Sequence, residues 1–431
     1  MSNVAITVGL VVLLAALNVP IWMALIGGSI PYFFFLDSGV PMQILAQRAV
    51  AVMESNSYLA IPFFITAGCI MNISGITKRL LDLADGIVGH RPGGLGHINV
   101  LLSALNGGIS GSAVADAAVD CKILVPEMLA RGYAKDFSAA VTVASALITP
   151  IIPPGIGMII FGFVTNTSIG KLFCAGYIPG IIGVILMMLY VEYVSRKNGY
   201  KSSRERRATW KELLILFRNS IWALMAPFGI ILGIRFGVCT ASEAGAILAW
   251  FCLIVGMFIY KEIKVSDLIP VVVESLLSTA TVMILICSAN VFAYFLTFEN
   301  IGNDLVNFIM SLNLGKVGFL LLTNVILLLI GMFMEGGAPM IVLGPMLMPI
   351  ALKYGIDPVH FGIMFVFNLG IGNMSPPFGL VLYQVCSTLD IDIVTMSKAV
   401  VPFLVIMVIT LMIITFCPGL VMFIPNLIYG A

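Results

Sequence analysis

Two short stretches rich in glycine and oxygen-bearing side chains interrupt an otherwise apolar sequence. The first is NGGISGSAVAD, from Asn106 to Asp116, and the second is MEGGAPM, from Met334 to Met340. Non-helical backbone inside a membrane is tolerated only where protein buries it or where it lines a water-filled cavity. Carbonyls at the end of a half-helix attract cations, and N–H groups at the start of the next one attract anions. The two stretches therefore predict sites for a cation and an anion.

The composition indicates that these stretches lie inside a membrane protein. Of the 431 residues, 60% are hydrophobic and 10% are charged, whereas soluble domains have about 25% charged residues. Mean hydropathy is +1.10, and apolar runs long enough to cross a bilayer recur along the chain. The net charge of +1 gives no basic field for nucleic acid. We therefore expect an all-α polytopic membrane protein without a nucleic-acid partner, whose N-terminal apolar stretch is a membrane helix rather than a removed signal peptide.

The residues that bind transition metals are scattered. The eight cysteines form no CxxC pair, and the three histidines form no HExxH motif. We expect no transition-metal site and interpret the cysteines as small buried apolar residues. The hydroxyl and carbonyl oxygens of the two stretches suit a hard cation such as Na⁺ instead.

The two stretches belong to an internal repeat. A segment beginning VPEMLARGYAKDF at Val125 is similar to one beginning MPIALKYGIDPVHF at Met348. Upstream of each lies a glycine pair, Gly107-Gly108 and Gly336-Gly337, and the pairs are 229 residues apart. Five identities lie at one offset of 223 residues: Pro126 with Pro349, Leu129 with Leu352, Gly132 with Gly355, Pro153 with Pro376, and Pro154 with Pro377.

The repeat predicts four breaks in the membrane helices. We expect two re-entrant hairpins, with tips at 106–116 and 334–340, and two helices broken at Pro-Pro, at 149–157 and 372–379. Such repeats are often inverted about an axis in the membrane plane, which brings all breaks to the midplane. The simpler alternative is that each glycine only permits close helix packing.

Charges outside the apolar runs predict the orientation. The segment RKNGYKSSRERR, 196–207, carries six basic residues and one acid, which predicts a cytoplasmic loop. We expect the uncharged C-terminus to be periplasmic. Residues 76–90 have apolar positions at helical spacing, which is typical of a helix on the membrane surface or at a protein interface.

At these residues the chain resembles the large membrane subunit of TRAP transporters, the tripartite ATP-independent periplasmic family. The resemblance runs nearly end to end. It is carried by six motifs: IPFFITAGCIMNISGITKRL (61–80), GHRPGGLGHINVLLSALNGGISGSAVADAA (89–118), ITPIIPPG (148–155), FGVCTASEAGAI (236–247), GIDPVHFGI (355–363) and IGNMSPPFG (371–379). The chain departs from the family at Gly155, where Ser is frequent, at Glu335, where Asp is common, and at Ser375, where Thr is common.

The resemblance implies a Na⁺-coupled importer of an organic anion, such as sialic acid or a C4-dicarboxylate, in the bacterial inner membrane. It implies two partners, a small four-helix membrane subunit as a separate chain and a periplasmic substrate-binding protein, besides membrane lipid. It also implies an elevator, with two or more Na⁺ per cycle. The scaffold would comprise 1–90, 181–314 and a C-terminal helix at 393–431, and the transport domain 91–180 and 315–392.

The candidate ligands are oxygen-bearing side chains and backbone groups of the four breaks. Those for Na⁺ are Asn106, Gly108, Ser110, Ser112, Thr149, Ile152, Pro153, Glu335, Gly336, Gly337, Gly372, Met374 and Ser375. Those for the substrate are Ser112, Asp116, Gly155, Asn373 and Pro377.

The acids and serines leave alternatives open. Asp116 acts at the site directly or through hydrogen bonds within the hairpin, unless it only caps the following half-helix, and Glu335 has the same alternative. A transporter that works without a binding protein, as a stand-alone Na⁺/dicarboxylate symporter, is the second hypothesis. An intramembrane serine protease, with Ser110 in GISG and His360 as base, is a remote third; it does not fit the G-x-S-x-G motif.

Overall fold

The computed structural model describes residues 2–17, 19–35, 41–54, 56–312, 314–334, 336–376 and 378–430. They form α-helices joined by short turns, and no β-strand occurs among them, which agrees with the all-α expectation. The N-terminal helices are α1 (Ser2–Ala16), α2 (Ile21–Phe35), α3 (Met42–Glu54), α4 (Ala60–Ile73) and α5 (Ile76–Val88).

The two repeats each contain four helices with one longer helix after them. The first comprises α6 (Gly94–Ser110), α7 (Ala113–Ala130), α8 (Lys135–Ala146) and α9 (Ile156–Val164), followed by α10 (Ile169–Asn198). Between the repeats lie α11 (Trp210–Arg235), α12 (Ala241–Ile254), α13 (Val265–Phe298) and α14 (Ile301–Ser311). The second repeat comprises α15 (Gly315–Gly331), α16 (Gly337–Lys353), α17 (Pro358–Met374) and α18 (Leu380–Leu389), followed by α19 (Ile393–Phe416) and α20 (Pro418–Tyr429).

Only some of these helices are long enough to cross a bilayer alone. Within the described ranges five qualify by length and composition, namely α10, α11, α12 with its π-helical extension to Ile259, α13 and α19. A sixth span arises if α4 and α5, which are bent by 68° at Gly75, count as one. The repeat helices α15 to α18 are apolar but shorter, because the breaks divide them.

Packing follows the repeat. Within each repeat the first helix packs on the third, α6 on α8 and α15 on α17. Contacts between the repeats are reciprocal. The helix α9, which follows the first Pro-Pro, contacts α16, which follows the second tip, and α18, which follows the second Pro-Pro, contacts α7, which follows the first tip. The repeats are thereby interlocked into one helical unit.

A matched polar pair supports the repeat. The Ser145 hydroxyl donates to Asn99 Oδ1 at 2.6 Å, and Asn368 Nδ2 donates to Asn324 Oδ1 at 2.8 Å. Both pairs join the first and third helices of their repeats.

The repeat also extends further upstream than the sequence predicted. Gly75 precedes α5 with φ +74° and Asn300 precedes α14 with φ +54°, and these positions are 225 residues apart. Glycine and asparagine are the residues that adopt this left-handed conformation most readily. The first turn bends α5 by 68° from α4, and the second leads from α13 into the short helix α14.

Two boundaries differ from the prediction. The single C-terminal helix expected over 393–431 is two helices, because α19 ends at Phe416 and α20 begins at Pro418, whose ring removes an N–H and favours the first position of a new helix. The first tip is narrower than 106–116, since α6 continues to Ser110 and α7 begins at Ala113.

Candidate functional site

The break at the first tip consists of Gly111 and Ser112. Gly111 has φ +58°, and a Cβ on it would lie 2.9 Å from the carbonyl oxygen of Pro154. Ser112 starts α7 as its N-cap, because its hydroxyl accepts the Ala115 N–H at 3.4 Å. Gly107 is equally close to the opposite break, since its Cβ would lie 2.7 Å from Ile152 Cβ. The tip therefore packs directly against the first Pro-Pro segment.

Side chains join this tip to the break. Asn106 Nδ2 donates to Asp116 Oδ1 at 3.1 Å, and the Thr149 hydroxyl donates to Asp116 Oδ2 at 2.8 Å. Thr149 also lies 3.2 Å from the carbonyl oxygen of Ser103. Asp116 is only 3% exposed, so its carboxylate acts inside the protein, holding three predicted site residues together.

A deeper part of the same network was missed by sequence reasoning. Asp120 follows Asp116 by one helical turn and is fully buried, and the Ser103 hydroxyl donates to its Oδ2 at 3.2 Å. Asn99 and Thr142 continue the polar line along α6 and α8 through a 2.8 Å hydrogen bond. The i, i+4 spacing of the two acids was the signal that could have found Asp120.

The second break is built from backbone. A Cβ on Gly372 would lie 2.5 Å from Gly331 Cα, so α15 and α17 touch through glycines where both helices end. The Ser375 hydroxyl donates to the Ile371 carbonyl at 2.8 Å, within its own turn. Asn373 Oδ1 is buried without a hydrogen-bond partner. Gly336 lies against this contact, with its Cβ position 3.5 Å from Leu369 Cβ.

The departure at Gly155 has a steric reason. A Cβ at this position would lie 2.0 Å from the carbonyl oxygen of Pro150. No side chain fits there without movement of the backbone, so residue 155 can contribute only its N–H and carbonyl. It precedes α9 in an extended conformation, which directs the first N–H groups of α9 toward the break.

The remaining predicted residues divide into two groups. Ile152 and Pro153 are buried beside the first tip, and Gly337, Met374 and Ser375 flank the second. Glu335, Pro377 and the side chain of Ser110 lie outside the described residues. For the parts of the chain that are described, no group of three or more His, Cys, Asp and Glu side chains is placed to hold a metal ion.

The imidazole of His360, proposed as a general base in the protease hypothesis, is engaged in a contact with the backbone. Its Nε2 lies 2.9 Å from the carbonyl oxygen of Ile414, where it joins α17 to α19. The serine-protease hypothesis gains nothing from this geometry.

Comparisons with known proteins agree along nearly the whole chain. Residues 8–420 match the family described as the tripartite ATP-independent periplasmic transporter, DctM component. The chain is 37% identical over 407 residues to the 2,3-diketo-L-gulonate TRAP transporter large permease protein of Escherichia coli K12, covering 94% of this chain and 95% of that one. It is 35% identical over 400 residues to the sialic acid TRAP transporter large permease protein of Vibrio cholerae serotype O1, covering 92% and 93%.

A solved structure shares the fold. The YdaH transporter of Alcanivorax borkumensis matches with a TM-score of 0.62 at 14% identity, covering 88% of this chain and 89% of that one. The relatives are permease subunits rather than enzymes.

Proposed function

Because this chain belongs to the DctM family, the large permeases of tripartite ATP-independent periplasmic transporters, we propose that it imports an organic anion together with Na⁺. The observation that carries the proposal is the buried hydrogen-bond network of Asn106, Asp116 and Thr149, which joins a helix break to a hairpin tip. An unwound segment with oxygen ligands and half-helix ends suits a cation and a carboxylate side by side. The supporting partners are a separate small membrane subunit and a periplasmic binding protein.

Sodium is the proposed coupling ion because the ligands are oxygens. Carbonyls, hydroxyls and amides of the four breaks suit a hard cation, and the acid at the first tip holds two of these side chains in place. One charge moving through 100 mV yields about 2.3 kcal/mol, so two or more Na⁺ would drive strong accumulation of an anion.

A reconstitution experiment tests the coupling. The permease and its small subunit are placed in proteoliposomes with the loaded binding protein outside, and uptake is measured with an inward Na⁺ gradient. We expect uptake to collapse when K⁺ or choline replaces Na⁺. Undiminished uptake in K⁺ would remove Na⁺ from the mechanism.

The proposed substrate carries a carboxylate. The relatives named above are the permeases of a sialic acid and a 2,3-diketo-L-gulonate transporter. Helix starts such as those of α7, α9 and α18 favour a carboxylate through their first N–H groups. Ser112, Asp116, Gly155, Asn373 and Pro377 stay the proposed substrate contacts. Among them Asp116 acts by positioning Asn106 and Thr149.

The identity of the acid is tested on the soluble partner. A thermal-shift screen of organic acids on the cognate binding protein selects a ligand, which is then offered for uptake. We expect transport of a carboxylate that needs the binding protein even at millimolar substrate. Uptake of a neutral sugar would refute the organic-anion proposal, and uptake without the binding protein would favour a stand-alone symporter.

We further propose an elevator in which both repeats move as one body. The moving body comprises residues 91–180 and 315–392, and the fixed scaffold comprises 1–90, 181–314 and 393–431.

Paired cysteines test this motion. Phe64 on α4 and Phe173 on α10 face each other across the proposed sliding surface, with ring centroids 6.2 Å apart. Phe161 and Phe361 form a matched pair inside the moving body at 6.5 Å. In a cysteine-free background, crosslinking the first pair should arrest transport and crosslinking the control pair should not. Full transport with the first pair closed would exclude the elevator.

The orientation proposal has geometric support. The loop 196–207 follows α10, and the aromatic ring of Tyr429 packs near Gly170 at the opposite end of that helix. A cytoplasmic loop therefore requires a periplasmic C-terminus. Reporter fusions after residue 431 and within the loop should lie on opposite sides of the membrane. Reporters on the same side would contradict one of the two assignments and the geometric relation between them.

A further inference from the structure

Asp120 is the buried charged group that the proposed Na⁺ and substrate sites do not use. It is 0% exposed. Its Oδ2 accepts one hydrogen bond, from the Ser103 hydroxyl at 3.2 Å, and its Oδ1 has no partner. An ionised carboxylate can accept about four hydrogen bonds. The surroundings of Asp120 therefore stabilise its ionised form poorly.

Its neighbour Asp116 differs. Both oxygens of Asp116 accept hydrogen bonds, from Asn106 and from Thr149. Burial of a charge is very costly unless it is paired and hydrogen-bonded. Two carboxylates one turn apart also repel each other. The negative charge is therefore placed on Asp116, which has the donors, rather than on Asp120.

The surroundings supply no compensating cation. The titratable groups on the elements packed against Asp120 are few, and through the described ranges none of the basic ones forms an ion pair with either acid. On α7 itself they are Asp116, Cys121, Lys122 and Glu127, of which Lys122 and Glu127 are exposed and Glu127 pairs with Arg131. On the neighbouring helices they are His97 of α6, which contacts Glu192, Lys135 and Asp136 in the first turn of α8, and Tyr383 and Cys386 of α18.

A second buried oxygen in the network also lacks a donor. Asn106 Oδ1 is without a hydrogen-bond partner, and the residue is 4% exposed. Its amide nitrogen already donates to Asp116. Asn106 Oδ1 is thus left for a cation beside Asp116, while Asp120 Oδ1 is left for a proton.

We propose that Asp120 is a proton-binding site, and that its proton is released to water when a cation binds at the neighbouring break. The protonated acid can donate its O–H to the Ser103 hydroxyl, and Ser103 connects through its carbonyl to Thr149. Cation binding neutralises the charge on Asp116, which removes the repulsion that favours the acid form. The step is Asp120–COOH giving Asp120–COO⁻ and H⁺, so the net charge of the two acids and their ligands stays unchanged.

The release of the proton on cation binding rests on the proposed Na⁺ coupling. The presence of a proton on Asp120 does not. Infrared difference spectroscopy tests the proton directly. The Na⁺-free permease should show the C=O absorption of a buried carboxylic acid that is absent in Asp120→Asn, and Na⁺ should abolish it in the unchanged protein. The matched variant Glu127→Gln, an exposed acid on the same helix, should keep the band.

The linkage is tested by transport. Proton release predicts that half-saturating Na⁺ rises as pH falls, by up to about tenfold per pH unit for one proton. Asp120→Asn has no proton to release, so its half-saturating Na⁺ concentration should not change with pH over the same range. The substrate must stay fully ionised throughout that pH range. Cys121→Ser should behave as the unchanged protein.

The outcomes separate the two proposals. If Na⁺ never stimulates uptake, the coupling proposal fails, and the infrared band still decides the proton. A Na⁺ dependence with the same pH slope in Asp120→Asn and the unchanged protein would overturn the proton site. So would the absence of the carboxylic-acid band in the Na⁺-free protein.

Discussion

The helix breaks of the two repeats are held together by different kinds of contact. In the first, the tip and the Pro-Pro break are joined by side chains, with Asp116 accepting from Asn106 and Thr149. In the second, the helices meet through the backbone of Gly331 and Gly372, and Ser375 bonds only within its own turn. Among the described residues, which exclude Glu335 and Pro377, the two repeats therefore share their helix order and differ in the contacts at their breaks.

The difference suggests separate tasks for the two breaks. A charged network fixes the positions of its oxygens, because each buried donor must keep its acceptor. Where helices meet through close-packed glycines, the positions of the backbone oxygens depend on helix packing. We expect the first break to be sensitive to loss of charge and the second to be sensitive to added volume.

The largest effect is expected for Asp116→Ala. Removal of the carboxylate leaves Asn106 Nδ2 as a buried donor without its acceptor, which costs roughly 1–3 kcal/mol, and leaves the Thr149 hydroxyl with only its longer bond to the Ser103 carbonyl. We expect initial uptake to fall by about 100-fold. Asp136→Asn, at the exposed start of α8, is the control and should transport normally. Retention of more than half the uptake in Asp116→Ala would show that the first break does not depend on its acid.

A methyl group at the second break should have the next largest effect. Gly372→Ala places a Cβ about 2.5 Å from Gly331 Cα, and overpacking of this kind costs about 1–3 kcal/mol. We expect a lower thermal unfolding midpoint and uptake reduced by about tenfold. Gly370→Ala on the same helix is the control, because among the described residues no atom outside its own stretch of helix lies within 4 Å of the added Cβ. Equal stability of the two variants would contradict the glycine contact.

The sequence could predict what depends on residue type and spacing. The positions of the breaks follow from glycine and proline residues, and the repeat follows from identical proline, glycine and leucine residues at one offset. Asn106, Asp116 and Thr149 could be selected because polar side chains inside apolar runs are costly and usually belong to a functional site. The 43-residue separation of Asn106 and Thr149 gave no indication that one carboxylate would hold both.

What the sequence could not predict depends on packing between distant segments. Asp120 lies in an ordinary helical sequence, and its importance appears only because α6 brings Ser103 to it. The contact of Gly331 with Gly372 was missed because the candidate glycines were chosen near the tip, five residues later. The turns before α5 and α14 share a left-handed residue but little sequence, so their correspondence could be seen only in the backbone.

The smallest effect is expected where a single neutral oxygen is removed at the second break. Ser375→Ala loses a hydroxyl that now bonds to the Ile371 carbonyl and that we propose turns to Na⁺ when the ion is present. Loss of a neutral ligand costs on the order of 1 kcal/mol, so half-saturating Na⁺ should rise about fivefold with little change in maximal rate. Ser110→Ala at the first tip should give a similar shift. Ser288→Ala is the matched control, since this buried hydroxyl makes the same intrahelical bond, to Ile284, on a helix outside the repeats. If Ser375→Ala and Ser288→Ala leave the Na⁺ dependence equally unaltered, the Ser375 hydroxyl is not a Na⁺ ligand, and the second break would contribute no side-chain hydroxyl to the site, in contrast to the side-chain network of the first.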